Sequence, residues 1–300
     1  MTIQQAYYEQ RFEIAFLRAK GDEFQTFFER LMGLAHKGDF MACRPWGKRG
    51  DHKNDGFLKS ERRLFQVYAP SEMSEARAVA KIKADFEGAK THWRKHFDKW
   101  TFVHNAEGGL PPHVQKTLLD FEEANPGIKL EPWGLEKLRL TFRKLSPDDL
   151  QSWLGPVPSE ETRTRLGFKD LQVVLETIAA RPAPALPPVK DVPLKKIEAN
   201  ALSESVATLL RAGIAKAPLV EDFLAQWHDE TLGERLAEAF KTKYLELREQ
   251  FTPNEVFAEL QSWAGGGGRC APEHELAVLT VMAYYFERCD IFDEPREQAL

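Results

Sequence analysis

Asp55 and Gln66 are the residues whose types and spacing most suit chemistry in this chain. Asp55 opens a short β segment in NDGF, Gln66 lies midway along the next in RLFQVYA, and the polar KSER joins the two. Adjacent antiparallel strands bring such positions to about 5 Å at the α-carbon, so a carboxylate and an amide oxygen can share one cation. A hard divalent ion such as Mg²⁺, or Mn²⁺, accepts carboxylate, amide and water oxygens, and it orients a water against a phosphodiester. Glu29, on the preceding helix and off its Phe/Leu face, is the expected third oxygen donor. The surroundings are basic: from Arg44 to Arg63 there are seven Lys or Arg against Asp51, Asp55 and Glu61, a local balance of +4. Arg44, Lys48, Arg49 and Lys53 are therefore the candidate contacts to a DNA backbone. A solvated hairpin with ordinary surface charge gives the same count.

These residues need a sheet to hold them. GDEFQTFFERLMGLAHKG places Phe24, Phe27, Phe28 and Leu31 at three- and four-residue steps, a helix with Asp22 as expected N-cap and Gly38 as its stop. Strands are expected over 40–46, 54–58 and 63–68, the last ended by Pro70. A long amphipathic helix is expected from about Ser71 to Trp100. TFVHN then reads as a strand, Pro111-Pro112 as the start of a helix to about Glu123, IKLEPWG as a strand and GLEKLRLTFRKL as a helix. That order predicts a mixed sheet with helices on its faces.

Residues 181–193, RPAPALPPVKDVP, hold five prolines and read as an extended connector. Beyond it only helical periodicity remains. LSESVATLLRAG starts near Ser203, a single helix is expected from about Val220 to Arg248, and FTPNEVFAELQSW carries Thr252, Pro253 and Glu255 as a full start signal. The last helix, from Glu273 to Cys289, is apolar around nearly its whole circumference and is expected at the centre of its own bundle. The expected division is 1–150 as an α/β domain, 151–193 as helix and proline-rich linker, and 194–300 as an all-α docking domain.

The whole chain has 41 Lys+Arg against 46 Asp+Glu, net −5, which excludes a uniformly basic nucleic-acid binder. The charge is uneven: residues 1–150 carry 25 basic and 22 acidic side chains, net +3, and the rest 16 and 24, net −8. No apolar run approaches the roughly 20 residues of a membrane span, and Cys43, Cys270 and Cys289 are too far apart for a metal knuckle, so a cytoplasmic protein without membrane contact is expected. His92 and His96 sit four apart but among Trp93, Phe97 and Trp100, which indicates packing rather than metal binding. No GxxxxGK[ST] occurs, so nucleotide hydrolysis is expected of a partner and not of this chain.

The order of helix with an acidic residue, strand with Asp-Gly, and strand with Gln66 resembles the PD-(D/E)xK nuclease superfamily, in particular its Mrr-like restriction endonuclease branch, over roughly residues 10–145. The resemblance implies a restriction-endonuclease-like α/β fold and Mg²⁺-dependent DNA cleavage, with Glu29 matching the helix glutamate, Asp55 the metal-binding aspartate and Gln66 the half-motif position. Where that family places its lysine, this chain has Tyr68, a phenol neutral at pH 7 that can only hydrogen-bond. Lys83, Lys81 and Lys59 are the candidate replacements for that cation. The alternative is a nuclease-like fold that binds DNA without cutting. KIEANALSESVATLLRAG, ERLAEAFKTKYLELREQFTPNEVFAEL and AYYFERCDIFDEP resemble the helical C-terminal domain of effector subunits in ABC three-component, or Lamassu-type, antiphage defence systems. That second resemblance implies an SMC-like ABC ATPase and a small middle-component protein as partners, restraint until the partner senses foreign DNA, and self-association on activation.

Overall fold

The computed structural model describes residues 1–43, 53–179, 196–227, 229, 231–265, 270–288 and 291–293. The chain divides into two units: Ala15–Asp149, built on a sheet, and a helical unit in which Met1–Ile14 joins the residues from Leu150 onward. The division falls inside the first helix, α1 (Ile3–Arg18). The opening fourteen residues therefore pack with the helical unit and not with the sheet, and the helices Glu160–Arg165 and Phe168–Ala179, from the stretch read as helix and proline-rich linker, belong to the helical unit too.

In the sheet unit, α2 (Gly21–Ala35) precedes β1 (Phe40–Ala42), β2 (Gly56–Leu58) and β3 (Arg63–Tyr68). Then come α3 (Glu75–Trp93), β4 (Lys99–His104), α4 (Pro112–Ala124), β5 (Lys129–Trp133) and α5 (Leu135–Phe142). The five strands lie in sequence order; β1-β2-β3 is antiparallel, and β3-β4-β5 is parallel with helical crossovers. This is the mixed sheet expected from the sequence. Strand alternation sends Leu64, Tyr68, Trp100 and Phe102 to one face, where they pack on Ala78, Ile82 and Phe86 of α3 and Val114 and Leu118 of α4. Phe65 points the other way, with its ring 5.2 Å from Phe28 of α2 and 5.2 Å from Trp133.

Two expectations need correction here. The helix expected over 71–100 stops at Trp93, and Lys99 and Trp100 already belong to β4, paired to Lys129 and Leu130. A doubly covered parallel strand is apolar on both sides and carries no period that separates it from a preceding helix. Helix α2 begins at Gly21, with Lys20 in the N-cap position in place of Asp22, which falls in the first turn where its charge still suits the helix dipole.

The helical unit contains α6 (Pro147–Leu154), α7 (Glu160–Arg165), α8 (Phe168–Ala179), α9 (Lys196–Ala199), α10 (Glu204–Ile214), α11 (Ala217–Gln226), α12 (Leu232–Arg248), α13 (Pro253–Trp263) and α14 (Pro272–Glu287). The single helix expected over 220–248 is two, because Trp227 turns extended and Asp229 accepts the Thr231 N–H at 3.0 Å and the Thr231 hydroxyl at 2.7 Å, starting a new helix. The start at Thr252 is as the sequence indicates: the Glu255 carboxylate accepts from the Thr252 N–H at 3.0 Å and its hydroxyl at 2.8 Å. Helix α14 is buried from Glu275 through Phe286, the central element its all-round apolar sequence requires. Residues 181–193, with the proline connector, lie outside the described residues.

Candidate functional site

Asp55 stands one residue ahead of β2, where its N–H donates to the Phe65 carbonyl at 2.9 Å and so continues the β2–β3 ladder beyond Gly56. That places it opposite Gln66, on the same side of the sheet. The two side chains meet: Gln66 Nε2 donates to Asp55 Oδ2 at 2.6 Å, and the Val67 backbone N–H donates to the same oxygen at 2.7 Å. Both residues are buried, at 5% and 2% exposure. The Gln66 carbonyl oxygen, Oε1, is buried with no hydrogen-bond partner among the described residues. An orphaned acceptor at such depth costs about 1–3 kcal/mol, and native cores rarely keep one without a use. A carboxylate next to an unpartnered amide oxygen is oxygen-donor chemistry that fits a hard divalent cation.

Glu29 lies on α2. Its helix α2 packs on the Phe65 face, opposite to Gln66, and its Oε1 accepts the Gln25 amide at 3.0 Å. Among the described residues no three His, Cys, Asp or Glu side chains form a group able to hold a metal ion. Tyr68 shares the Gln66 face but packs as an aromatic, 5.9 Å from Phe102. His104 sits beside it in register. Burial lowers the His104 pKa to about 4, and its Nδ1 accepts the Ala106 N–H at 3.2 Å.

The basic surround changes character once side chains are placed. Arg44, Lys48 and Arg49 lie outside the described residues. Lys53, held with φ +64°, forms an ion pair with Asp85 of α3 at 3.0 Å, and Lys81 pairs with the other oxygen of the same carboxylate at 2.6 Å. Asp85 is fully buried, so the two lysines carry the charge balance for a carboxylate inside the unit. Gly88 admits the Lys53 stem, since a Cβ there would meet Lys53 Cγ at 2.6 Å. Arg62 pairs with Asp98. Arg63, buried below β3, donates to Thr101 at 2.7 Å and Glu131 at 2.8 Å and lies 5.1 Å from the Trp133 ring centre. Lys59 and Lys83 are exposed. Much of the +4 is thus committed to internal pairs, which a count along the sequence cannot reveal.

Asp85 is the residue that sequence reasoning missed. It lies mid-helix between Lys81 and Phe86, and only its full burial distinguishes it from a surface charge.

Residues 169–293 match the family described as C-terminal domain 10 of the ABC-three component (ABC-3C) systems. The chain carries that domain. The match runs from α8 to the segment after α14, over the helices of the acidic half, and it makes this protein a component of an ABC three-component antiphage system, whose other components are its implied partners. No curated protein and no solved structure matches the chain. Among the described residues no helix is long and apolar enough to cross a membrane.

Proposed function

We propose that this chain is the nuclease effector of its ABC three-component system, a Mg²⁺-dependent endodeoxyribonuclease restrained until a partner component senses foreign DNA. The carrying observation is the buried Asp55–Gln66 pair with the unpartnered Gln66 Oε1. Asp55 and Gln66 would hold the ion, with the remaining positions left to water and to phosphate oxygens. A bound Mg²⁺ supplies positive charge to the phosphoryl oxygens and lowers the pKa of a water. The protein's part is orientation: the hydrogen bond to Asp55 fixes the Gln66 amide, and the Val67 N–H fixes the carboxylate, so both donors are in place before substrate arrives. Arg44, Lys48 and Arg49 remain the expected backbone contacts, and an ABC ATPase with a small middle component remains the expected assembly.

Plasmid cleavage with Mg²⁺ by the complex assembled with its partner components and challenged with foreign DNA tests this reading. Asp55→Asn keeps an acceptor for Val67 and Gln66 but removes the charge, so cutting should fall by roughly a hundredfold or more with the fold intact. Undiminished cutting by that variant removes the site.

A second reading, a nuclease-like scaffold that bridges DNA to the ATPase without cutting it, is favoured by Tyr68. That side chain, a phenol where the resemblance places a lysine, is packed on Phe102. Under that reading the complex assembled with its partner components and challenged with foreign DNA retains DNA in Mg²⁺ or Mn²⁺ without accumulating nicks.

A further inference from the structure

The parallel strands β4 and β5 end at a cleft of about 430 Å³, lined by His104, the Glu107–Leu110 turn, Pro132 and the Gly134–Lys137 start of α5. His104 is 4% exposed. Its Nδ1 already takes the Ala106 N–H, so the ring hydrogen of the neutral imidazole sits on Nε2, and that donor has no protein acceptor among the described residues. The open edge of the ring depends on one residue: a Cβ at Gly134 would stand 2.6 Å from His104 Cε1 and 3.0 Å from Nε2. Gly134 is also the N-cap of α5, and it offers no side chain to the helix end. The first backward bond of α5 is Leu138 N–H to the Gly134 carbonyl at 3.1 Å, so the amides of Leu135, Glu136 and Lys137 have no acceptor in their own helix. Of the acidic side chains at the cleft, Glu136 is paired to Arg139 and exposed, and Glu107 is exposed on the turn.

A neutral imidazole N–H on a buried residue, three helix-start amides with no acceptor in their own helix, and the Lys137 ammonium at the rim all present donors to one space. Leu110 and Leu135 give it apolar sides. We propose that this cleft binds the phosphate of a nucleotide, with His104 Nε2 and the α5 amides donating to its oxygens and the two leucines flanking its sugar. In its full form this rests on the nuclease reading. Tyr68 pairs with His104 in the sheet, so the cleft lies two residues along and one strand across from Gln66, roughly 8 Å at the α-carbon by sheet spacing, and a single strand can reach both.

The test is calorimetric titration of the full chain in EDTA with a thymidine dinucleotide, with and without a 5′-phosphate. The phosphorylated ligand is expected to bind at least about tenfold tighter and to shift the His104 Nε2 proton resonance. Gly134→Ala should erase the preference, and the surface change Lys137→Ala should weaken it severalfold with no effect on folding. Equal affinity for the two ligands, or a preference that survives in both variants, overturns the cleft. Cutting in Mg²⁺ is scored separately, on the complex assembled with its partner components and challenged with foreign DNA: phosphate discrimination by the chain with no nicking by that complex ends the nuclease reading alone, and nicking without discrimination ends the cleft alone.

Discussion

The two units treat buried polar groups differently. In the helical unit Lys196, 1% exposed, donates to the carbonyls of Phe286 and Ile291 at the end of α14; Asn200 and Asp293 exchange two hydrogen bonds; and Arg11 reaches Glu275 and the carbonyls of Leu154 and Pro156. Gln10 donates to Gln261, whose own amide nitrogen is the exception left over. These groups close helix ends and tie distant segments, and their chemistry is used up in doing so. In the sheet unit, Gln66 Oε1 is buried with no partner among the described residues, as is the Trp100 indole N–H within the core, and the His104 Nε2–H at the cleft likewise has no acceptor among them, while the adjoining atoms of Gln66 and His104 are each held by a partner. An unspent polar group beside a carboxylate or at a cleft is placed to meet a ligand, as the Trp100 indole in the closed core is not; polar groups that are spent mark architecture.

The largest effect that separates the two kinds is a crossover of variants. Asp55→Asn should cost roughly a hundredfold in Mg²⁺-dependent cutting and little in stability. Lys196→Met removes the ammonium from the Ile291 carbonyl and from the Phe286 carbonyl, which keeps the Arg288 N–H, so the helical unit should lose about 1–3 kcal/mol in urea unfolding, while cutting per folded molecule is unchanged. If Lys196→Met abolishes cutting at full stability, the division between spent and unspent groups fails.

Acid should act on the two units with opposite sign. His104 has a folded pKa of about 4, lowered by burial from 6.5. The stability it contributes is complete above pH 6.5 and is lost as the pH falls from there toward 4, about 2 kcal/mol by pH 5. His36, lowered by burial and by Lys144, works in the same direction. In the helical unit Glu275 is raised above its ordinary value by burial, against the opposing pull of Arg11. Its contribution is present at low pH and is lost as the pH rises through the raised value. Hydrogen exchange resolved by segment at pH 7 and pH 5 reads both: amides of β4 and β5 should exchange relatively faster at pH 5 once corrected for intrinsic rates, and those of α14 should not follow. His104→Gln should flatten the response of the sheet unit. Parallel behaviour of the two units would remove the contrast.

Local features of both units were legible in the sequence, and long-range ones were not. β3 was bounded to the residue because Arg63–Tyr68 is compact and closed by Pro70. The Asp55–Gln66 contact followed from hairpin geometry, which is short-range. Lys53–Asp85 joins residues 32 positions apart, and nothing in KADF distinguishes a buried aspartate from a solvated one. The packing of α2, which carries Glu29, depended on which face of β3 receives the helix, a choice made by Phe28 against Phe65. The docking of Met1–Ile14 depends on Arg11, Glu13 and Gln10 finding partners about 140 to 265 residues away, and a single sequence has no local mark for that.

The smallest prediction uses the most legible element. Thr252, Pro253 and Glu255 form a helix start readable from four consecutive residues, and the hydrogen bonds confirm it. Asn254, inside the same turn, accepts the Ser203 N–H at 3.0 Å and donates to Glu13 at 2.7 Å, so this one turn also ties the start of α10 and the first helix into the unit. Glu255→Ala removes the acceptor for the Thr252 N–H and hydroxyl but leaves the Asn254 bonds, and it should cost about 1 kcal/mol. Asn254→Ala, which keeps the cap and cuts the ties, should cost more, because the Ser203 N–H and Glu13 each lose a partner. Urea unfolding of the two variants therefore measures how much of the helical unit rests on local signals and how much on long-range closure; equal losses would mean that the cap alone supports the turn.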